Sequence, residues 1–404
     1  MDKTISFIQP SRSNLKYLKW SYESIRKNLG YRHEICMADD FSDDGTWEWM
    51  KEIAKKDQNV KIHRNDGPTR LGHTILYDTL VNMATNDIVM IYHADMYALP
   101  GLDEEILKHI KPGVVVSGTR IEPPLHPDGP EKIIQDFGIE PEEFQEQELL
   151  DWYNRYGPTQ ETTEGIFAPW AIYKEDFQKI GGHDPLFAPQ SKEDSDIFNR
   201  FILAGYKVVQ TRKGCVYHMT CRGSRFADGA KRNPDGQVFM KNRETDEWLT
   251  QNVRSTRNFI RKWGTMVEHD EYLKPIITPM YSIGYELTEA ADVNTIGNLE
   301  PYCQYMVVPA EQEIKQYIEQ EQPNTQYNLS EKFGTRVPDS PIYDIKVVFN
   351  PWELTQQSFQ ILTQLPKIIK DSGEEGQRFQ LDIFDIWIEQ MIEHQEDNIV
   401  CSSN

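Results

Sequence analysis

VMIYHADMY, Val89 to Tyr97, opens as an apolar run and stops at a histidine and an aspartate two residues apart, His93 and Asp95. An apolar run of this length suits a strand buried inside a sheet. In sheets built from strand–helix–strand units, ligands sit beyond the carboxyl ends of the strands, so a polar end on such a strand faces a ligand instead of the core. The same pattern recurs upstream. ISFIQP leads into Pro10, Ser11 and Arg12, and HEICMAD leads into Asp39 and Asp40. Between them lie helical spacings: Leu15, Leu18, Tyr22, Ile25 and Leu29 behind a capping Asn14, and Trp47, Met50 and Ile53 behind Asp43 or Asp44. VKIH, a helical stretch from Leu71 to Ala84 and the DIVMIY run continue the alternation. The expected fold class is therefore α/β, a doubly wound, mostly parallel sheet with three polar strand ends side by side.

Further along, VVVSGTRI continues the sheet, and the acidic stretch to about Thr163 reads as an insertion over one edge. GIFAPWAIY resumes apolar character, and KEDFQKIGGHD reads as a short helix closed by Gly181 and Gly182. A helix from about Glu193 to Leu203 and two strands, YKVVQ and CVYH, complete this part, with Ser224–Gly236 as a loop. Residues 1–264 are expected to form one domain and residues 265–404 a small C-terminal α+β domain for acceptor selection or assembly. Its strand candidates are YSIGYELT, YDIKVVFN and RFQLDIFDIWI, and its helix from Leu354 to Ile368 is expected to kink at Pro366.

Composition narrows the function. A chain of 404 residues exceeds what one core usually holds, and its 38% hydrophobic content suits packed globular domains. The formal charge of −21 argues against nucleic acid as a partner. Lys207–Lys262 is nonetheless rich in Arg and Lys, a local basic patch suited to a small anion. Five cysteines without a CxxC pair read as reduced thiols of a cytoplasmic protein. Cys215, His218 and Cys221 lack the ligand count and spacing of a structural zinc site. No window approaches a membrane span, so membrane contact is expected to be peripheral at most.

Taken in order, ADDFSDDGT, HAD, IGGHDPLF, EDSD and His218 resemble glycosyltransferase family 2, with its GT-A fold, over about the first two thirds of the chain. The resemblance implies an inverting transfer of a sugar from a nucleoside diphosphate, most readily UDP, to a hydroxyl of a glycan, lipid or protein. It implies Asp95 and His218 as ligands of Mn²⁺ or Mg²⁺, which offsets the charge growing on the departing diphosphate. His93 stands where the family carries an aspartate that more often reaches the ribose. Asp194, with Glu193 beside it, matches the catalytic base; a helix N-terminus would keep it ionised. Pro10, Ser11, Arg12, Asp39, Asp40, Ser42, Arg70, Gly72 and His93 are assigned to the donor, Asp39 accepting the imide N–H of uracil. Arg222 and Arg225 are assigned to the phosphates, and Trp170 to stacking on an acceptor sugar, with a core tryptophan of a strand as the equal alternative. A homo-oligomer is compatible. The alternatives are a nucleotide- or sugar-binding protein that kept the fold without turnover, motivated by His93, and a sugar nucleotidyltransferase, whose glycine-rich phosphate loop QPSRSN lacks.

Overall fold

The computed structural model describes residues 3–220, 229–240, 244–337 and 342–401. They form two compact units, one of Met1–Gln251 with His269–Pro275 and Val400–Asn404, the other of Asn252–Glu268 with Ile276–Ile399. No helix among the described residues is long and apolar enough to cross a membrane.

The first unit alternates strands and helices as β1 (Ile5–Ser11), α1 (Leu15–Asn28), β2 (Glu34–Asp40), α2 (Thr46–Lys56), β3 (Val60–Asn65), α3 (Gly72–Met83) and β4 (Ile88–Ile91). There follow β5 (Met96–Ala98), α4 (Leu102–His109), β6 (Val114–Glu122), β7 (Lys132–Ile134), α5 (Glu146–Tyr156), β8 (Thr162–Thr163), β9 (Trp170–Tyr173), α6 (Lys174–Lys179), α7 (Glu193–Leu203) and β10 (Lys207–His218). The ribbon β11 (Ala230–Arg232) and β12 (Val238–Met240) precedes α8 (Asp246–Trp263).

The large sheet runs β3-β2-β1-β4-β9-β6-β10-β5. Pairs β1–β2, β2–β3, β1–β4 and β6–β10 are parallel, while β9 is antiparallel to β4 and β6. Successive residues of β1 serve opposite faces. Phe7 packs with Leu18, Ile25 and Met50, and Ile8 packs with Leu76, Leu80 and Phe201. Both faces being covered is why these strands read as unbroken apolar runs.

Several local expectations change. Asn14 makes no side-chain cap; Asp44 instead accepts Leu15 N–H and Thr46 N–H, serving the starts of α1 and α2 with one carboxylate. The acidic insertion is partly core, because Leu149, Trp152 and Tyr153 of α5 pack against Tyr217. YKVVQ and CVYH are one strand, β10, whose pairing with β6 shifts between Gln210 and Cys215. The stretch read as a loop, Ser224–Gly236, contains β11; its residues 224–228 lie outside the described residues.

The second unit holds β13 (Ile283–Leu287), α9 (Val293–Leu299), β14 (Tyr305–Val307), α10 (Glu311–Glu321), β15 (Phe333–Gly334), β16 (Ile345–Phe349), α11 (Gln356–Ser372), β17 (Arg378–Leu381) and β18 (Phe384–Ile388). Its sheet runs β15-β14-β13-β16-β18-β17. RFQLDIFDIWI is two strands, not one. Asp382 takes a φ of +55°, so the slip in the apolar phase is a hairpin turn. α11 runs through Pro366 to Ser372.

Candidate functional site

β4, β6 and β10 bring four titratable groups together at their carboxyl ends. His93 and Asp95 follow β4, Glu122 ends β6 and His218 ends β10. One ligand atom from each of His93, Asp95 and His218 lies within 4.8 Å of the others. His218 Nε2 is 3.3 Å from Asp95 Oδ1, and its Nδ1 is 2.7 Å from Glu122 Oε1. Glu122 is in turn held by Arg120 at 3.1 Å and Lys132 at 3.6 Å, both of which also pair with Glu131 at 3.2 Å.

Charges in this nest set one another. Burial opposes charge on His218, but Asp95 and Glu122 outweigh it and lift the imidazole to about 9. Burial and the neighbouring His218 charge push His93 down to about 3, so it stays neutral with a lone pair to offer. Burial alone would raise Asp95; His218 brings it down to about 2. Glu122, despite its burial, is held below the usual carboxylate range by Arg120, His218 and Lys132. A neutral imidazole, a carboxylate and an imidazole whose outer nitrogen is fixed by Glu122 fit a divalent cation that accepts mixed nitrogen and oxygen ligands. Binding such a cation would require His218 to give up its second proton.

Facing this nest is the start of α7. Two consecutive residues in left-handed conformation, Ser191 (φ +80°) and Lys192 (φ +71°), lead into Glu193 and Asp194. Strain of this kind concentrates at functional sites. Burial and the adjacent Asp194 push Glu193 up, and its buried Oε2 has no hydrogen-bond partner. Burial also raises Asp194, opposed by His183 and Arg120. The helix N-terminus therefore does not hold Asp194 at an ordinary carboxylate's acidity, as its sequence position suggested. Desolvation is the larger effect. His73, on the first turn of α3, stands 4.0 Å from Glu193 and is lowered to about 4 by burial and Arg70, while Asp95 acts the other way. Tyr77 is raised by burial and by the charges of Asp194, Glu193 and Asp95.

At the β1 and β2 ends the assigned donor residues divide. Asp39 is fully buried and raised by burial; Ser42 N–H bonds its Oδ1, Arg64 lies 3.6 Å from Oδ2, and Oδ2 has no hydrogen-bond partner. Ser42 Oγ accepts Ser13 N–H at 2.8 Å. Buried Ser11 Oγ is also unpartnered, beside half-buried Pro10 and exposed Arg12. Asp40 is different. It accepts Asn65 Nδ2, Leu71 N–H and Gly72 N–H, so its carboxylate is taken up in starting α3. Gly72 (φ +76°) is required there, since a Cβ would lie 2.0 Å from Pro189 O. Arg70 donates to Gln190 and approaches Asp40 and Glu247; burial and the Arg12 charge lower it.

Trp170 corrects its assignment. It is 0% exposed, packed among Phe177, His183, Phe198 and Phe201, and no face of the ring is open to a sugar. Arg222 and Arg225 lie outside the described residues. The basic stretch around them is largely spoken for internally: Arg232 bonds Asp136 and Glu143, and Arg257 and Arg261 bond Glu321. Cys215 is a buried thiol pushed up to about 12 by burial, bonded to Arg212 O, and does not join His218 as a ligand.

Sequence reasoning missed Glu122, Arg120, His73, Tyr77 and His183. The polar end of β6 was a usable signal for the first two, because β6 pairs with β10 up to Ile121↔Tyr217, placing Glu122 beside His218.

Residues 6–174 match the family described as Glycosyl transferase family 2. Among solved structures, one described as GalNAc-T7 with UDP, GalNAc and Mn²⁺ is 17% identical, over 67% of this chain and 49% of that one, with a TM-score of 0.45. The mannosyltransferase PcManGT from Pyrobaculum calidifontis, in complex with GDP-Man and Mn²⁺, is 18% identical over 53% of this chain and 56% of its own, with a TM-score of 0.38. The chain thus spans about half the length of each, and both overlays are loose.

Proposed function

Residues 6–174 form a glycosyl transferase family 2 domain, and from that premise we propose that the chain is a metal-dependent, inverting glycosyltransferase that moves a sugar from a UDP-linked donor to a hydroxyl. The observation that carries the reading is the convergence of His93, Asp95 and His218 within 4.8 Å at the strand ends where ligands bind such sheets.

In this reading Asp39 receives the uracil imide N–H on its unpartnered oxygen, a donor that cytosine lacks at that position. Arg12 and Arg70, whose like charges oppose each other, would gain from the diphosphate's negative charge. His93, Asp95 and His218 would hold the divalent cation, with Mn²⁺ suiting two imidazoles better than Mg²⁺. When bound, it supplies positive charge to the departing diphosphate. Glu122 fixes His218 from behind. Two crowded buried carboxylates cannot both ionise easily, so Glu193 retains a proton while Asp194 accepts the one leaving the acceptor hydroxyl.

The test is a screen of UDP-sugars with Mn²⁺, read as UDP release, with Asp95→Ala and Asp194→Asn as controls. The expected result is release from one donor, lost in both variants, with donor affinity kept in Asp194→Asn. Unchanged turnover in Asp194→Asn removes it as the base, and no release from any donor despite UDP binding favours a binding protein without turnover.

A further inference from the structure

Asp39 stands in the middle of a row. Ser11 of β1 pairs with Asp39 of β2, and Asp39 pairs in turn with Arg64 of β3. Paired residues of neighbouring parallel strands send their side chains to the same face of the sheet, with the strands about 4.8 Å apart. Alternation identifies the face. Phe7, Met37 and Ile62, each an even number of positions before a member of the row, pack with Leu18 and Ile25 of α1 and Met50 of α2. All three members keep an open polar atom: Ser11 Oγ, Asp39 Oδ2 and Arg64 Nε are buried without a hydrogen-bond partner. Arg64 Nε approaches Asp39 Oδ2 at 3.6 Å, too far to satisfy either. Unpaired buried polar atoms are costly, and three in register across three strands need a reason.

The surroundings hold the row in place. Ser42 N–H fixes the other oxygen of Asp39 at 3.1 Å, and Ser42 Oγ accepts Ser13 N–H at 2.8 Å, which ties the turn after β2 to the turn after β1. The Arg64 guanidinium lies over the Trp47 ring at 5.6 Å, with Asp66 3.6 Å from its Nε. Its side chain is 30% exposed, so Arg64 is the member that reaches solvent. A hydroxyl, a carboxylate oxygen and a guanidinium offer donor, acceptor and donor in sequence, and Arg64 cannot accept at all. The complement is a carbonyl, an N–H and a carbonyl along one edge, which is an imide. Uracil presents that edge. Cytosine and adenine instead set a ring-nitrogen lone pair against the Asp39 carboxylate. Guanine matches Arg64 and Asp39 with its carbonyl and ring N–H, but its amino group then meets Ser11 and leaves the hydroxyl proton without an acceptor.

We propose that Ser11, Asp39 and Arg64 read the donor's base as one row, Ser11 and Arg64 donating to the two carbonyls that flank the uracil N–H, which makes Arg64 a specificity-determining residue. The inference rests on the chain taking a UDP-linked donor through Asp39. To admit the base, the Arg64 guanidinium turns off Asp39 on its exposed side and bonds one carbonyl, while Asp39 Oδ2 takes the N–H and Ser11 Oγ bonds the second carbonyl. Each open atom of the row then has a partner. No covalent step is involved, and the sugar and the acceptor are not read by these residues.

Calorimetry of the full chain with Mn²⁺ and UDP, CDP or GDP tests the row without any turnover. The wild type is expected to bind UDP roughly a hundredfold or more tighter than CDP, because a site built to pair polar groups is penalised by a ligand that leaves them unpaired. UDP analogues with sulfur, a weaker acceptor, in place of either uracil carbonyl oxygen are expected to bind the wild type about threefold to tenfold less tightly, part of one hydrogen bond each. In Arg64→Met, UDP affinity should fall roughly tenfold to a hundredfold and one analogue should lose its penalty; in Ser11→Ala the other analogue should lose its own. Asp39→Asn, whose amide can turn an N–H toward the cytosine ring nitrogen, should narrow the preference for UDP over CDP. Melting curves show whether each variant folds, and the analogue series on the wild type stands where one does not. Equal wild-type affinity for UDP and CDP, tighter binding of GDP than of UDP, or unchanged UDP affinity and analogue penalties in Arg64→Met overturns the proposal. Absence of UDP binding removes the uridine donor and the row with it. These base preferences without UDP release from any UDP-sugar leave the row standing and overturn the transferase reading instead.

Discussion

Two buried clusters of opposite charges among the described residues differ in one respect. In the second unit, Glu300 is fully buried and saturated: Arg261 takes both oxygens, Tyr317 donates at 2.8 Å and Lys332 at 2.5 Å, while Arg257 and Arg261 share Glu321. Every bond closes inside the cluster. At the strand ends of the first unit, charges are just as buried, but Asp39 Oδ2, Ser11 Oγ, Glu193 Oε2 and His183 Nε2 lack partners. A closed network holds a fold together, whereas an open one is poised for something that arrives later.

The direction of the carboxylate shifts carries the same contrast. Burial would raise Glu300, yet Lys332 and Arg261 bring it down to about 2. Glu193 is raised, by burial and by Asp194. One gains from its ionised neighbours; the other is pressed by them.

Substitutions should break the comparison at its open end first. Asp194→Asn is expected to reduce turnover by roughly 10²- to 10⁴-fold, the span of general-base effects, with thermal stability unchanged or improved because a strained buried carboxylate is gone. The measurement is UDP release alongside a melting curve. At the closed end the outcome reverses: Glu300→Ala is expected to cost about 3–5 kcal/mol of stability, the effect of leaving buried cations unpaired, with donor affinity intact. Denaturant titration reads it.

The pH dependence separates the two further. Glu300 is depressed from 4.5 to about 2 on folding, so its contribution, about 3 kcal/mol by linkage, is complete above the unfolded value and is lost as pH falls from 4.5 toward 2. A melting series across that window, wild type against Glu300→Gln, should converge at the acid end. Glu193 works the other way. Its folded value is raised, so stability falls as pH climbs above the unfolded carboxylate range. Between these in size stands Glu122→Gln, which should weaken Mn²⁺ affinity by roughly 10- to 100-fold, the usual effect of removing a group that orients a metal-bound histidine, measured by calorimetry. The smallest expected effect is Glu193→Gln, a modest rise in melting temperature at pH 8 that vanishes at pH 4.

Much of this was legible in the sequence, for a physical reason. Parallel strands buried on both faces announce themselves as apolar runs, and a polar residue ending such a run has nowhere to go but the ligand edge. That logic brought out His93, Asp95 and Asp39, whereas His218 came from the family resemblance alone. It failed where two polar residues adjoin, because alternation along β2 turns Asp39 and Asp40 to different neighbours and only Asp39 keeps an open oxygen. For Trp170 the context FAPWAIY left a core strand and an acceptor platform both open, and burial decides for the core. His93 was assigned to the donor's ribose; it stands within the cluster of Asp95 and His218. Glu122, Arg120 and His183 depend on sheet register and on a turn closing against α3, which spacing along the chain does not encode.

The most direct test of the account is a crystal soaked with Mn²⁺ and UDP and measured at the manganese edge. The account predicts one anomalous peak in contact with Asp95 and His218, with the diphosphate on its open side and uracil against Asp39. A peak elsewhere, or none with UDP bound, contradicts it.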